Sequence, residues 1–563
     1  MQIIREPKVY DVCIVGSGAG GGMAAKVLTE AGAEVALLEA GAMWDTEKDS
    51  KMFAWPYDSP RRGAATPEKP FGEFDGCIGG WDIDGEPYTN APGTTFDWFR
   101  ARMLGGRTNH WGRISLRFGP DDFKRRSIDG LGDDWPITYD ELKPYYDRLD
   151  RLVGIFGSIE NLPNEPDGIF LPPPKPRCYE LLVKQACDRL AITCIPSRLS
   201  ILTQPLNGRH ACHYCGECGR GCKIHANFSS PSVLLPPALR TGRLRLITNA
   251  MAREIVMGKN GKAEAVDYVD KNSREEKRVN AKAFVLAASA CESARLLLNS
   301  RSASFPDGLA NSSGVVGRYL TDTVGSSGTG YFPQLEKIPP HNHDGVGGMH
   351  VYVPWWKFDR KNDFLRGYHI EVYGGRSMPG VGEFDGVCDE FEGYGAGLKQ
   401  KCRSMYGTFI GFEGRGEMIP NEHCYCDIDP DTVDQWGIPV LRFHWQWSDN
   451  EIKMAKDMQE TFRSIVEAGG GTFLSSATAG GPRPYGIADG GVIIHEIGTA
   501  RMGSNPKTSV LNKYCQAHDV KNLFVTDGAA FVSNADKNPT LTILALSWRA
   551  SEYLLSEAKK GNL

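Results

Sequence analysis

The chain has 563 residues, too many for one ordinary hydrophobic core, so two domains are expected, with or without an insert. Charged residues make up 24% and hydrophobic ones 41%, the balance of a globular enzyme, and a net charge of −5 with no long Lys/Arg run excludes a nucleic-acid surface. Nothing approaches a run of about 18 apolar residues, so no membrane span is expected.

The chain starts MQIIREPKVYDVCIVG, which runs straight into a strand and leaves no room for a signal peptide of its own. Residues 12–15 form a short apolar run, as in a strand buried in a parallel sheet. Gly16-x-Gly18-x-x-Gly21 follows. The first glycine permits the tight turn, the second lets backbone approach a pyrophosphate, and the third lets the next helix, expected over residues 22–31, pack on the strand. That helix aims its N-terminal N–H groups at phosphate. A second strand over residues 34–38 ends at Glu39, where a carboxylate takes ribose hydroxyls. The unit binds a dinucleotide, either FAD or a nicotinamide.

A polar, Pro- and Gly-rich stretch to about Asp75 reads as a surface loop over the cofactor. Residues 104–113, LGGRTNHWGR, place Gly105 and Gly106 ahead of small hydrogen-bonding residues, which suits a loop pressed on an aromatic ring system; the plain alternative is a helix N-terminus. Residues 134–154 read as a helix opened by a capping box, Thr138 with Glu141, with a kink or restart at Pro144. The proline-rich residues 168–176 read as a stiff extended connector.

Of fifteen cysteines, most are scattered singly, but Cys212, Cys215, Cys218 and Cys222 form a C-x2-C-x2-C-x3-C run. That is the spacing of bacterial ferredoxin cluster loops, with Lys223 where those carry Pro. Gly216, Gly219 and Gly221 supply sharp turns. Three thiolates suit a 3Fe–4S cluster and four a 4Fe–4S cluster. Zinc prefers two separated pairs, and disulfides between such close cysteines are awkward.

Strands are expected at residues 244–248, then as a hairpin at 254–256 and 263–269 around Lys259-Asn260-Gly261, and at 284–290 ahead of a helix over 293–298. Residues 321–489, rich in alternating strands and turn glycines, read as a mixed sheet roofing a substrate pocket. Within them Ser448 and Glu451 open a helix whose Met454, Met458, Phe462 and Ile465 face the core. His423-Cys424-Tyr425-Cys426 reads as a strand with side chains on alternate faces rather than as a metal site. The C-terminal part carries His495-Glu496-Ile497-Gly498-Thr499, then residues 525–528, then Asn538-Pro539-Thr540-Leu541-Thr542.

The N-terminal fingerprint, the double-glycine loop and these three C-terminal pieces together resemble the glucose-methanol-choline (GMC) oxidoreductases. That resemblance implies an α/β fold: a Rossmann-like FAD-binding domain (1–204, 231–320 and 490–563), a Cys-rich insert (205–230) and a mixed β-sheet substrate domain (321–489). It also implies FAD, held by Gly16, Gly18, Gly21 and Glu39, with Gly105, Gly106, Asn109 and His110 against the flavin. Ala252 would lie at the adenine, Asp527 and Gly528 at the ribityl or pyrophosphate, and Pro539 and Thr540 in a second flavin-contacting turn. Many members place an Asn where this chain has Trp111. His110-Trp111 is instead similar to pyranose oxidases, where the histidine bonds the flavin covalently, and to bacterial sugar dehydrogenases, where it does not. The latter carry a three-iron cluster in a cysteine-rich insert.

By the same resemblance His495 is the catalytic base and Asn538 its partner. Alcohol oxidation needs a proton taken from oxygen and a hydride taken from carbon; a neutral imidazole takes the first, and an amide N–H holds the developing alkoxide. The activity implied is dehydrogenation of a pyranoside ring hydroxyl, as in glucoside 3-dehydrogenases, with electrons leaving through the cluster. Oxidation of glucose, gluconate or fructose stands close behind. The rivals are an oxygen-using pyranose or glycoside oxidase whose cysteine loop is structural, and a non-catalytic FAD subunit. The expected partners are a sugar or glycoside, a small subunit bearing a twin-arginine signal and a cytochrome c, with no nucleic acid. Co-export with that subunit would place the chain in the periplasm; without it the chain is cytoplasmic.

Overall fold

The structure, a computed structural model, describes residues 3–339, 345–359, 361–376, 388, 393–475 and 477–563. Its first sheet is built on β1 (Ile4–Val15), β2 (Val35–Leu38), β3 (Leu244–Ile247), β4 (Ala250–Met257), β5 (Ala263–Asp270) and β6 (Glu276–Leu286). β3, β2, β1 and β6 run parallel in that order. The first half of β6 pairs antiparallel with β5, and its second half runs parallel to the short strand Leu523–Val525. Every residue of β2 is buried, and so are Val12 to Val15 on β1. Burial on both faces explains the unbroken apolar runs.

The helix after the glycine turn, α1 (Ala19–Glu30), starts three residues earlier than expected and packs against the C-terminal helix. The capping box of Thr138 and Glu141 opens α2 (Tyr139–Val153), which runs unbroken through Pro144, so the expected kink is absent. The strand expected at 244–248 is β3, which ends at Ile247 and runs at the sheet edge parallel to β2, while β4 and β5 form the expected hairpin. Helix α3 (Ala290–Asn299) follows β6.

The sheet expected over residues 321–489 divides in two. A six-stranded antiparallel sheet runs in the order Thr472–Leu474, β7 (Val324–Tyr331), Phe409–Gly416, Tyr368–Gly374, Val351–Trp356 and Ile195–Pro196. A three-stranded mixed sheet joins Tyr425–Val433, Pro439–His444 and Thr89–Asn90. The long helix α4 (Asp449–Ala468), opened by Ser448 and Glu451, buries Met454, Met458, Phe462 and Ile465 on the larger sheet. The strand expected over residues 423–426 begins only at Tyr425; His423 is exposed in the turn before it, and Cys424 and Cys426 are buried. Among the described residues no helix is long and apolar enough to cross a membrane.

Candidate active site

One cavity of about 440 Å³ runs from the glycine turn after β1, past Glu39 and Ala252, to Gly106, His110 and Trp111, and ends at His495, Asn538, Pro539 and Thr540; Asp527 and Gly528 also line it. The three glycines act in three ways. At Gly16 (φ +95°) an added Cβ would sit 2.3 Å from the Ala287 carbonyl oxygen, and at Gly21 one would sit 1.8 Å from the Gly16 carbonyl oxygen. Gly18 has only the Gly105 carbonyl oxygen, 3.9 Å away, in front of it. Its backbone is thus open to a ligand, and the N-terminus of α1 has no side-chain cap, leaving its N–H groups for phosphate. Glu39 accepts from the Ser17 and Gly41 N–H groups at 3.1 and 2.8 Å, which anchors the carboxylate at the cavity wall.

Three predicted positions, Gly21, Gly105 and Asn109, lie behind this wall rather than in it. The Gly105 N–H donates to Ser17 Oγ at 2.8 Å, and Asn109 Nδ2 donates to the Leu104 and Gly106 carbonyl oxygens at 2.8 and 3.1 Å. They shape the loop that presents Gly106 and His110. Phe71 and Asp75, from the loop expected to cover the cofactor, do reach the cavity. Asp75, Cys77 and His110 each bring a ligand-type atom within 4.8 Å of the others. Burial lifts the Asp75 carboxyl to about 6 and lowers the His110 imidazole to about 3, where Arg113 and Arg107 also oppose protonation.

At the far end, Asp322 accepts from the N–H groups of Gly491, His495 and Thr323 at 2.7, 3.1 and 2.8 Å, which fixes the turn that presents His495. His495 Nδ1 lies 3.0 Å from Thr323 Oγ1, which also accepts from Asn534 Nδ2 at 2.9 Å. Asn538 Nδ2 is 3.3 Å from His495 Nε2 and 3.4 Å from Glu371 Oε1. The carboxylate decides which way the amide points, since only NH₂ can face it. The second N–H then meets Nε2, which must carry a lone pair, so Nδ1 holds the ring proton and donates it to Thr323. Burial lowers the His495 imidazole to about 3, helped by Arg415 and opposed by Glu371. Burial pushes the Glu371 carboxyl up, but Arg415 and His369 outweigh it and hold the carboxyl at about 2.

Buried polar atoms without protein partners include His110 Nε2 and Asn538 Oδ1, both on cavity-lining residues. Together with the open Gly18 backbone and a cavity that joins the dinucleotide fingerprint to an acid–base pair, they fit an extended cofactor carrying an aromatic head. Sequence reading missed Thr323, Asn534, Asp322 and Glu371. No local motif marks them; only the alternation of residues 368–373 hinted that Glu371 shares a face with His369.

The four cysteines of the run line a second, small void with Met52, Ile201, Ile224 and Ala226. The two sites are close in structure: Trp111, on the cavity wall, donates from Nε1 to the Phe228 carbonyl oxygen at 3.1 Å, and the preceding Asn227 lines the cysteine void. Burial raises the Cys218 thiol, and buried Arg113, which donates to the Asn109 and Trp111 carbonyl oxygens, pulls it back down.

Residues 94–324 and 420–547 match the N- and C-terminal models of the GMC oxidoreductases, and the chain is 30% identical to 2-methyl-1,2-propanediol dehydrogenase of Mycolicibacterium austroafricanum over 97% of its own length and 95% of that protein's. The chain is a GMC oxidoreductase. This GMC oxidoreductase is also 26% identical to the fructose dehydrogenase large subunit of Gluconobacter japonicus, over 98% of each chain. Its fold is that of pyridoxine 4-oxidase from Mesorbium loti, with a TM-score of 0.62 and 17% identity over 97% of this chain and 99% of that one. GMC oxidoreductases bind FAD and act on CH–OH groups of alcohols and sugars, which accounts for the cavity.

Proposed function

We propose that this GMC oxidoreductase dehydrogenates a ring hydroxyl of a pyranoside, in the manner of a glucoside 3-dehydrogenase, and passes the electrons out through an iron–sulfur cluster on Cys212, Cys215, Cys218 and Cys222. The observation that carries the reading is the His495–Asn538 pair, 3.3 Å apart on the cavity that begins at the glycine turn. Bound FAD supplies the hydride acceptor. The chain supplies everything that concerns the proton. A substrate hydroxyl seated between the pair gives its proton to His495 Nε2 while Asn538 Nδ2–H donates to the oxygen, which acquires alkoxide character as the C–H bond breaks. Thr323 and Asn534 hold the ring by Nδ1, so the proton arrives at Nε2 without the imidazole turning.

The cluster, 3Fe–4S in preference to 4Fe–4S, supplies a one-electron exit. Its reading is supported by the convergence of the four cysteines on one small void and by the short connection through Trp111 and Phe228. A small export-competent subunit and a cytochrome c are the partners this exit needs, and the fructose dehydrogenase relative is itself named as a large subunit. The test is iron content with low-temperature EPR on protein purified without oxygen and then mildly oxidised. A near-isotropic oxidised signal and about three irons per chain are expected. Empty thiols or zinc would refute the exit and favour an oxidase, which would also make stoichiometric peroxide.

A further inference from the structure

The face of the larger sheet turned away from α4 is charged, and it stands behind the cavity wall, joined to it where Glu371 Oε1 lies 3.4 Å from Nδ2 of the cavity-lining Asn538. Alternation fixes which residues share it. On strand Phe409–Gly416, an added Cβ at Gly414 or Gly416 would sit 2.4 or 2.3 Å from the sulfur of Met458 or Met454 on α4, so Glu413 and Arg415 project to the opposite side. On strand Tyr368–Gly374, the Tyr368 hydroxyl reaches Asp457 and Thr461 of α4, so His369, Glu371 and Tyr373 share the side of Glu413 and Arg415. Register confirms the grouping: Glu371 stands opposite Glu413, and His369 opposite Arg415.

Each cation on this face is already engaged. Arg415 is ion-paired to Glu413 and lies 3.4 Å from Glu371. Both ring nitrogens of His369 face oxygens, the Asp536 carbonyl and, at 3.2 Å, Glu371. Arg107, on the cavity wall, pairs with Glu496 at 2.6 Å. Acceptors, by contrast, remain within reach of solvent: the Glu413 side chain is 29% exposed against 14% for Arg415, and the Tyr373 ring lies across Gly411 with nearly half its surface open.

We propose that this face, Glu413, Arg415, Glu371 and Tyr373, is the subsite for the part of the substrate that does not react, and that it selects neutral polyols over sugar acids. Hydroxyl groups donate to the carboxylates. A substrate carboxylate meets Glu413 and Glu371, two carboxylates that share the one guanidinium of Arg415, so it arrives desolvated and repelled. The inference rests on the hydroxyl-oxidising reading above and narrows its substrate class.

The experiment is anaerobic stopped-flow flavin reduction by the FAD-loaded protein with matched pairs: methyl glucopyranoside and methyl glucuronide, glucitol and gluconate, 1,2-propanediol and lactate. In the pair that reacts, the neutral member should have the larger second-order rate constant by at least about 10-fold, the effect of roughly 1.4 kcal/mol. Glu413→Lys should shrink that ratio about 5-fold or more, and Glu413→Gln by less, with the ratio read independently of how much active protein each variant yields. An acid as effective as its neutral partner in the unaltered protein overturns the proposal, as does a ratio unmoved in both variants. Flavin that no compound bleaches overturns the hydroxyl-oxidising reading and this inference with it. If neither variant retains FAD, the ratio in the unaltered protein decides alone.

Discussion

Replacing Glu371 by Gln removes the carboxylate that fixes the Asn538 amide while keeping its shape. In the native site an amide turned the wrong way would set Oδ1 against a carboxylate. In the Glu371→Gln variant that penalty vanishes, because the new side-chain NH₂ can donate to Oδ1, and the turned amide would then accept from His495 Nε2 and hold the ring in its non-basic tautomer. A hydrogen bond to a charged group contributes about 1.5–3 kcal/mol. The contact here is long, at 3.4 Å, so the lower end applies, and about 1.5 kcal/mol is roughly 10-fold in rate. Loss of a carboxylate that favours the developing imidazolium adds to this, for an expected fall of about 10- to 100-fold in the limiting rate of flavin reduction. Glu371 also holds the His495 pKa up against burial and Arg415, so the acid limb of the rate profile should move to lower pH in the variant. Stopped-flow reduction without oxygen, with FAD content measured on the same sample, reads both. A limiting rate within twofold of the unaltered protein, or an acid limb that stays in place, would refute the positioning argument.

His495→Ala should lower the rate of flavin reduction by about 100- to 10,000-fold while retaining FAD; near-normal reduction would remove His495 from the role of proton acceptor. With the His495 imidazole lowered to about 3, its neutral form persists across the working range. The rate should therefore show no acid limb near the ordinary histidine value of about 6.5 and should fall only as the pH approaches about 3, as a buffer series on kcat/KM would show. Cys218→Ser should strip iron and its EPR signal yet leave substrate able to bleach the flavin, separating the two sites by spectroscopy; an unchanged iron content would contradict the assignment of that thiol.

The parts of this site that a sequence reveals are those where one backbone turn performs the work. Gly16, Gly18 and Gly21 occupy a single turn whose steric demands are local, so their spacing alone marks where a Cβ has no room and where the backbone is open. His495 and Asn538 lie in short C-terminal stretches close to turns, and family resemblance paired them. Glu371 lies on one strand of the larger sheet, Thr323 just before another, β7, and Asn534 in a loop, joined only by tertiary packing, and no spacing in one dimension records that. Asn109 shows how a local reading leaves out tertiary partners. A polar residue beside a double glycine reads as a ligand contact, yet its amide is consumed by the Leu104 and Gly106 carbonyl oxygens in shaping the loop. Pro144 reads as a kink or restart because its missing N–H disrupts a helix in isolation; α2 nonetheless continues through it, opened by the capping box and with Leu142, Tyr146 and Leu149 buried.

The central claim is that His495 and Asn538 take a proton from a hydroxyl whose hydride goes to the flavin, and that the electrons then leave through the cysteine loop. Anaerobic addition of a reactive neutral polyol to the unaltered protein, followed by a one-electron acceptor, tests both halves in one cuvette. The account predicts bleaching of the flavin, then simultaneous loss of the oxidised-cluster EPR signal, then recovery of both on adding acceptor, with no peroxide formed when air replaces it. Bleaching that reverses only with oxygen and yields stoichiometric peroxide, with no change at the cysteine loop, would contradict it.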